Sequence, residues 1–262
     1  MTIITYKSLC NIGYIVFLFS LCLLFTNCNT SPEKKTKEPI SITPISHGTL
    51  ILEHRDLVIY VDPVGGRNAF KDKKPPGIIL ITDNHGDHLN LETLNSVITP
   101  DSKIIVPVAV SNRLPTTLQS QLTVMSNNNK KTMQIQGVSV VIEAIPMYNL
   151  REEALQFHEK GRGNGYVLNL ADKRIYISGD TEDIPEMRAL KNIDYAFVCM
   201  NLPWTMSIES AASAVLEFEP KHVYPYHYRG TNGLSDIDKF KGIVSSKNGN
   251  IDVRLLNWYP NR

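Results

Sequence analysis

From residue 49 onward the chain is written in short apolar runs broken by turn residues. Residues 49–53 and Leu57–Val61 flank His54-Arg55-Asp56, the pattern of a β-hairpin. Gly77-Ile78-Ile79-Leu80-Ile81-Thr82 is apolar without alternation, as a strand buried on both faces would be. Leu91–Val97 spaces its apolar positions as a short helix, and Lys103–Val106 is a further strand stopped by Pro107. Residues 134–145 predict two strands broken near Gly137. The second half repeats the style. Strands are expected at residues 165–170 and 174–178, joined by Ala171-Asp172-Lys173, then at 193–200, 222–226 and 253–256. Helices are expected at residues 207–218, with alanines for close packing, and at 236–244, with Ser235 as N-cap. Both halves run strands, then strand plus helix. Two packed sheets with helices outside suit this order, as do other α/β arrangements.

The first 44 residues follow a different pattern. Between Ile12 and Phe25 nearly every residue is apolar, and Lys7 is the only charge before Cys28. That length fits the apolar core of a signal peptide and is short for a membrane span. The end of the run, Leu24-Phe25-Thr26-Asn27-Cys28, resembles a lipobox, with Asn27 departing from the small residue usual before the cysteine. The resemblance implies export, lipid attachment at Cys28 and a membrane-anchored lipoprotein on the periplasmic or cell-surface side. Residues 1–28 are therefore expected to be a lipoprotein signal peptide. Residues 29–44, rich in Asn, Ser, Pro, Glu, Lys and Thr, are expected to form a flexible tether, leaving 45–262 as the folded domain.

Composition narrows the partners. The 262 residues carry 27 Lys and Arg against 26 Asp and Glu, so no basic footprint points to nucleic acid. A hydrophobic share of 42% is enough for a full core. Of the four cysteines, Cys10, Cys22 and Cys28 belong to the N-terminal segment, and the spacing fits neither a disulfide framework nor a cysteine zinc site. Cys199, inside Tyr195-Ala196-Phe197-Val198-Cys199-Met200, reads as a buried structural thiol.

The chemistry concentrates directly after the strand at residues 77–82. Asp83, His85, Asp87 and His88 place four potential ligands within six residues, with Gly86 allowing a tight turn. Carboxylate oxygen and imidazole nitrogen together suit Zn, Mn or Fe.

The run Thr82-Asp83-Asn84-His85-Gly86-Asp87-His88 resembles the T-H-x-H-x-D-H signature of the metallo-β-lactamase superfamily, with Asp83 where the first histidine would stand. Ser178-Gly179-Asp180-Thr181 is similar to the segment whose aspartate bridges two metals there. Tyr224-Pro225-Tyr226-His227 is similar to the strand end that closes the second site. Ile59-Tyr60-Val61-Asp62-Pro63 resembles an early segment of the ascorbate-6-phosphate-lactonase-like and N-acylphosphatidylethanolamine phospholipase-like branch. The resemblance spans nearly all of residues 45–262 and implies a four-layer αββα sandwich. It further implies one metal held by Asp83, His85 and Asp180, and another by Asp87, His88, Asp180 and His227. The histidine that the family places after the strand ending Ala144-Ile145-Pro146 is absent. Asn149 stands in its place, His158 could reach in from the next loop, or water completes the site. Both changes enrich the first site in oxygen and shift its preference from zinc toward manganese or iron.

What this implies chemically is a hydrolase that activates water with one or two divalent ions to cleave a small-molecule ester, lactone or phosphodiester. Asp87 serves as ligand or as general base. Tyr148, His158 and Tyr228 are candidates for protonating the leaving group. A histidine at the place of His47 can approach the metals in the resembling families, and Trp204 is a candidate for the pocket mouth. Two alternatives stand beside this reading: a lipid-directed phosphodiesterase, and a non-catalytic lipoprotein that binds metal or ligand.

Overall fold

Alternate side chains of a strand face opposite ways, and here the two faces enter two different cores. Leu50, Leu52, Leu57, Ile59, Val61, Ile78, Leu80 and Ile105 enter one; Ile51, Val58, Tyr60, Ile79, Ile81, Ile104 and Val106 enter the other. The structure, a computed structural model, describes residues 39–260. The signal peptide, Cys28 and most of the tether expected from the sequence lie outside these residues. Among the described residues no helix is long and apolar enough to cross a membrane.

The first sheet has six strands in sequence order: β1 (Ser41–Ser46), β2 (Thr49–His54), β3 (Leu57–Val61), β4 (Ile78–Leu80), β5 (Lys103–Val106) and β6 (Leu122–Val124). β1 to β3 are antiparallel, and β3 to β6 are parallel. The second sheet repeats this plan. β7 (Lys130–Ile135), β8 (Val138–Met147), β9 (Gly163–Leu170) and β10 (Lys173–Ile177) are antiparallel neighbours. β11 (Tyr195–Val198) and β12 (His222–Pro225) continue it in parallel. After a two-stranded ribbon, β13 (Arg229–Gly230) and β14 (Gly233–Leu234), the parallel edge closes with β15 (Asp252–Val253).

Helices cover both outer faces. α1 (Leu91–Val97) and α2 (Val108–Ser111) seal the first sheet with Leu94, Val97 and Val110. α3 (Pro185–Arg188), α4 (Ile208–Phe218) and α5 (Ile237–Lys247) lie on the second sheet's side, where Met187, Ala211, Ala212, Val215, Phe218, Phe240 and Val244 join its core. The expected four-layer αββα sandwich therefore forms. Ser207 caps α4, its Oγ accepting from the Ser210 N–H. Asp236, and not Ser235, caps α5 by accepting the Lys239 N–H at 2.9 Å.

Two sequence expectations are corrected. Residues 41–44, assigned to the tether, belong to β1 and pair with β2, so the folded domain starts at least as early as Ser41. The segment is short and carries two prolines within 39–44, which masked its strand character. His54, expected in the hairpin turn, instead ends β2 as a buried residue.

The strand directions decide where chemistry can gather. Pairing makes β1, β3 and β4 run one way in the first sheet and β8, β10, β11 and β12 run one way in the second, and Asp87, His88, Asp180 and His227 bring the ends of β4, β10 and β12 to one edge of the sandwich. His47, Asp62, Asp83, Tyr148, Asp180, Asn201 and His227 follow those ends. Both sheets thus contribute to one rim, the place where α/β sheets present ligand-binding loops.

Candidate metal centre

The loop after β4 is fixed by a buried carboxylate. Asp62, directly after β3, accepts the Thr82 N–H at 2.7 Å and the Thr82 hydroxyl at 2.6 Å. Its Oδ2 also takes Nδ1–H of His88 at 2.8 Å. A carboxylate on Nδ1 sets the tautomer and leaves Nε2 free to face a ligand. Asp62 was visible in the sequence only as part of the Ile59-to-Pro63 segment, and its role was missed. Burial raises the Asp62 pKa, with His88 and Thr82 opposing in part.

His88 then meets three side chains from distant positions. Asp180, Asp87 and His227 complete a group whose ligand atoms lie within 4.8 Å of one another. Nε2 of His88 is 3.4 Å from Asp180 Oδ2, and Nε2 of His227 is 3.4 Å from Asp180 Oδ1 and from Asp87 Oδ2. The backbones supply the approach. Gly179 has a left-handed φ of 61°, and a Cβ there would lie 2.6 Å from the Met147 sulfur. Gly48 packs its bare Cα against the His227 ring, where a Cβ would come within 2.8 Å of Cδ2.

A second group, Asp83, His85 and His158, meets the same distance limit. Nε2 of His158 lies 3.2 Å from Asp180 Oδ2, so Asp180 stands between the two groups. Of the alternatives for the missing histidine, it is His158 whose imidazole joins Asp83 and His85. Its Nδ1 bonds the Trp204 carbonyl at 3.1 Å, which directs Nε2 inward. Asn149 stands behind it: its amide donates to the same Trp204 carbonyl and to the Ala154 carbonyl, and its N–H bonds the His158 carbonyl.

Whether these groups fit a cation is tested by the atoms they leave unpaired. Nε2 of His88, His158 and His227, Oδ1 of Asp180 and Oδ1 of Asn149 are buried without a hydrogen-bond partner. So many orphaned acceptors in one place would be costly unless a cation used them. Electrostatics agrees. Burial would raise Asp180, but His227 and His88 hold its pKa well below the carboxylate range. Burial would likewise raise Asp87, and hydrogen bonds with His227 and His47 overcome it. Burial disfavours protonation of His88, yet Asp180 and Asp62 on its two sides lift its pKa well above the ordinary value. A divalent cation at the histidine Nε2 atoms would balance these carboxylates in place of a proton.

The rest of the predicted set divides. Tyr148 does not reach the centre: its hydroxyl donates to Glu186 at 2.9 Å and receives from Lys160 at 3.2 Å, and it does not line the cavity. Tyr148, the first residue after β8, points to Glu186 on α3 instead. Tyr228 packs edge-on against Tyr259 and also stays outside the cavity. His158, the other candidate acid, stands instead with Asp83 and His85 in the second group. Asp83 is held by a guanidinium that the sequence did not reveal: Arg162 donates Nε–H at 3.1 Å and Nη2–H at 2.8 Å to its two oxygens.

A cavity of about 400 Å³ opens over the centre, lined by His47, Asp87, Phe157, Trp204, Asn201 and Arg229 among others. His47 is the arrival that matters most. Its Nε2 lies 3.3 Å from Asp87 and its Nδ1 bonds the Tyr259 hydroxyl at 2.7 Å. Burial lowers its pKa, with Asp87 opposing. Asn201, 1% exposed, spends its Oδ1 on the Thr205 hydroxyl, and its amide N–H groups have no partner among the described residues. The Arg229 guanidinium carbon lies over the Tyr259 ring, 4.4 Å from its centroid. No local motif marks Asn201, Arg229 or Tyr259; only the fold unites them.

Comparison with known proteins agrees with this geometry. The family model described as a beta-lactamase superfamily domain matches residues 59–228. The UPF0173 metal-dependent hydrolase of Methanosarcina mazei is 25% identical over 231 residues, which is 84% of this chain and 96% of that protein. A solved structure of a proposed metal-dependent hydrolase from Parabacteroides distasonis is 37% identical, with 83% of this chain and 93% of that one covered at a TM-score of 0.73. Igni18, a metallo hydrolase of Ignicoccus hospitalis, shares the fold at 20% identity and a TM-score of 0.69 over 83% of this chain and 95% of that one.

Proposed function

The chain belongs to the family of the beta-lactamase superfamily domain, and we propose that, as a metal-dependent hydrolase of that family, it cleaves a small ester, lactone or phosphodiester. The observation that carries this is the set of orphaned acceptors at Asp180, His88, His158 and His227 beneath an open cavity. Asp87, His88, Asp180 and His227 would hold one cation, and His85, His158 and Asp180 could hold another. A divalent cation there supplies Lewis acidity, acidifying water and polarising a carbonyl or phosphoryl oxygen.

The protein's own groups do the rest. Asp87, with 43% of its side chain exposed, faces the cavity while His47 and His227 hold its carboxylate. Beside its role as ligand, its hydrogen-bonded carboxylate would orient a water. His47 then replaces Tyr148 as the group that returns a proton to the leaving oxygen, with the Tyr259 hydroxyl on its far nitrogen. Asn201 and Arg229 offer donors to a substrate oxygen. Phe157 and Trp204 give the opposite character, a wall that excludes water.

The experiment is metal analysis followed by a substrate panel. Protein loaded with Zn, Mn or Fe should turn over at least one generic ester, lactone or bis(p-nitrophenyl) phosphate, and chelation should stop it. Arg229→Ala should raise KM about tenfold or more for anionic substrates, the effect of losing a charge-assisted hydrogen bond, and leave neutral esters unchanged. Absence of bound metal together with absence of turnover would refute the reading.

A lipid-directed phosphodiesterase is the second reading. Leu150, Leu155 and Leu202, 48%, 45% and 44% exposed, sit on the two loops that flank the cavity. The same panel decides it, since turnover of phospholipids that ignores chain length would exclude it. Both readings carry the proposal of an exported protein anchored through Cys28. Cys28→Ser should then move the protein from the membrane to the soluble fraction, and an unchanged distribution would count against the anchor.

A further inference from the structure

The two ligand groups differ in what their carboxylates already hold. Asp180 and Asp87 have only histidines within ion-pair distance among the described residues. Both oxygens of Asp83 are already engaged. Its Oδ1 accepts from Arg162 Nε at 3.1 Å and from the Asn84 N–H at 2.8 Å, and its Oδ2 accepts from Arg162 Nη2 at 2.8 Å. That is a two-point pair between a planar fork and a carboxylate that is 0% exposed, a strong geometry. The fork is held in turn: Arg162 Nη2 also donates to the Phe157 carbonyl, and the Arg162 N–H bonds the Glu159 carbonyl.

We propose that the Asp83–Arg162 pair makes the centre unequal, with one tight cation at Asp87, His88, Asp180 and His227 and one weak, exchangeable cation beside His85 and His158. The inference rests on the metal-binding reading above, but not on any activity. A cation entering the group of Asp87, His88, Asp180 and His227 meets two carboxylates with no Lys or Arg within ion-pair distance among the described residues. A cation entering the group of Asp83, His85 and His158 meets a carboxylate already engaged at both oxygens and a guanidinium that cannot lose its charge. It must either displace Arg162 or bind next to it. Asp83 thereby acts as a positioning residue: it lies 3.1 Å from His85 Nδ1, on the side of the ring away from a ligand at Nε2. The occupied state of the protein then follows metal supply. At low supply it holds one ion, and only at high supply two.

Calorimetric titration of the metal-free chain with Zn²⁺, and separately Mn²⁺, against a competing chelator reads this directly. Wild type should show one tight equivalent and a second at least about 100-fold weaker, the scale of one unfavourable charge and one lost ligand. Arg162→Gln should tighten the second equivalent about tenfold or more and leave the first unchanged, whereas Arg162→Lys, which keeps the charge, should leave the second weak. Two equally tight equivalents in wild type, or a second equivalent indifferent to Arg162→Gln, would overturn the proposal. Anomalous scattering from wild-type crystals soaked with one equivalent gives an answer independent of any variant: a single peak among Asp87, His88, Asp180 and His227 supports it, and equal peaks at both groups refute it. A wild type with no bound metal in either measurement would instead remove the hydrolase reading on which the inference stands.

Discussion

Replacing Asp180 with asparagine should lower affinity for the tight cation by at least about 1,000-fold, equivalent to about 4 kcal/mol, and reduce turnover to background. Among the described residues, Asp180 is within ion-pair distance of histidines from both groups. Its Oδ2 lies 3.4 Å from His88 and 3.2 Å from His158, and its Oδ1 lies 3.4 Å from His227. The amide keeps the shape and loses the charge, so the circular dichroism of the protein should not change. Metal content after dialysis, beside the kinetics, separates this from a purely structural effect. A variant that keeps full metal content and turnover would show that the centre lies elsewhere. A variant that loses metal but keeps its biological role would favour the non-catalytic binding alternative.

Asp62→Asn should have the next largest effect, although Asp62 never faces the cavity. Its carboxylate receives three donors: the Thr82 N–H, the Thr82 hydroxyl and His88 Nδ1–H. An asparagine presents one acceptor oxygen and turns an NH₂ toward the remaining donors. One or two buried donors are then left unpaired, at about 1–3 kcal/mol each. His88 also loses the partner that fixes its tautomer, so metal affinity should fall about 10–100-fold. Calorimetric metal binding and a thermal melt of the metal-free protein measure the two effects separately. Unchanged metal affinity would mean that Thr82 alone can orient His88.

The contrast between these two residues shows what sequence could and could not deliver. Asp180 was legible because Ser178-Gly179-Asp180 is a local pattern at a strand end, as is the Asp83-to-His88 run. The helix Leu91–Val97 and the strand Lys103–Val106 were equally local, and the structure has both with the expected bounds. Arg162 was not legible. It sits 79 residues from Asp83 in sequence, in a loop of mixed polar residues, and only the approach of β9 to the β4 loop joins them. Asn201, Arg229 and Tyr259 were lost for the same reason. Tyr148 was misjudged from the opposite direction: its position beside Asn149 was right, but sequence does not say which way a side chain leaves a strand end. β1 was missed because its pairing with β2 outweighs the poor strand propensity of a proline-bearing segment.

The rim draws its ligands from both sheets: His85, Asp87 and His88 follow β4 of the first, while Asp180 and His227 follow β10 and β12 of the second. A cation shared by these residues is a further cross-link between layers already joined by apolar packing and by hydrogen bonds such as Tyr166 Oη to the Ile81 carbonyl and Arg162 to Asp83. Folding and metal supply are then coupled by mass action, and free cation at about 100 times its dissociation constant adds about 2.7 kcal/mol to stability. A chain deprived of metal would open more often at this rim, and its lifetime before a protease would shorten with each such opening.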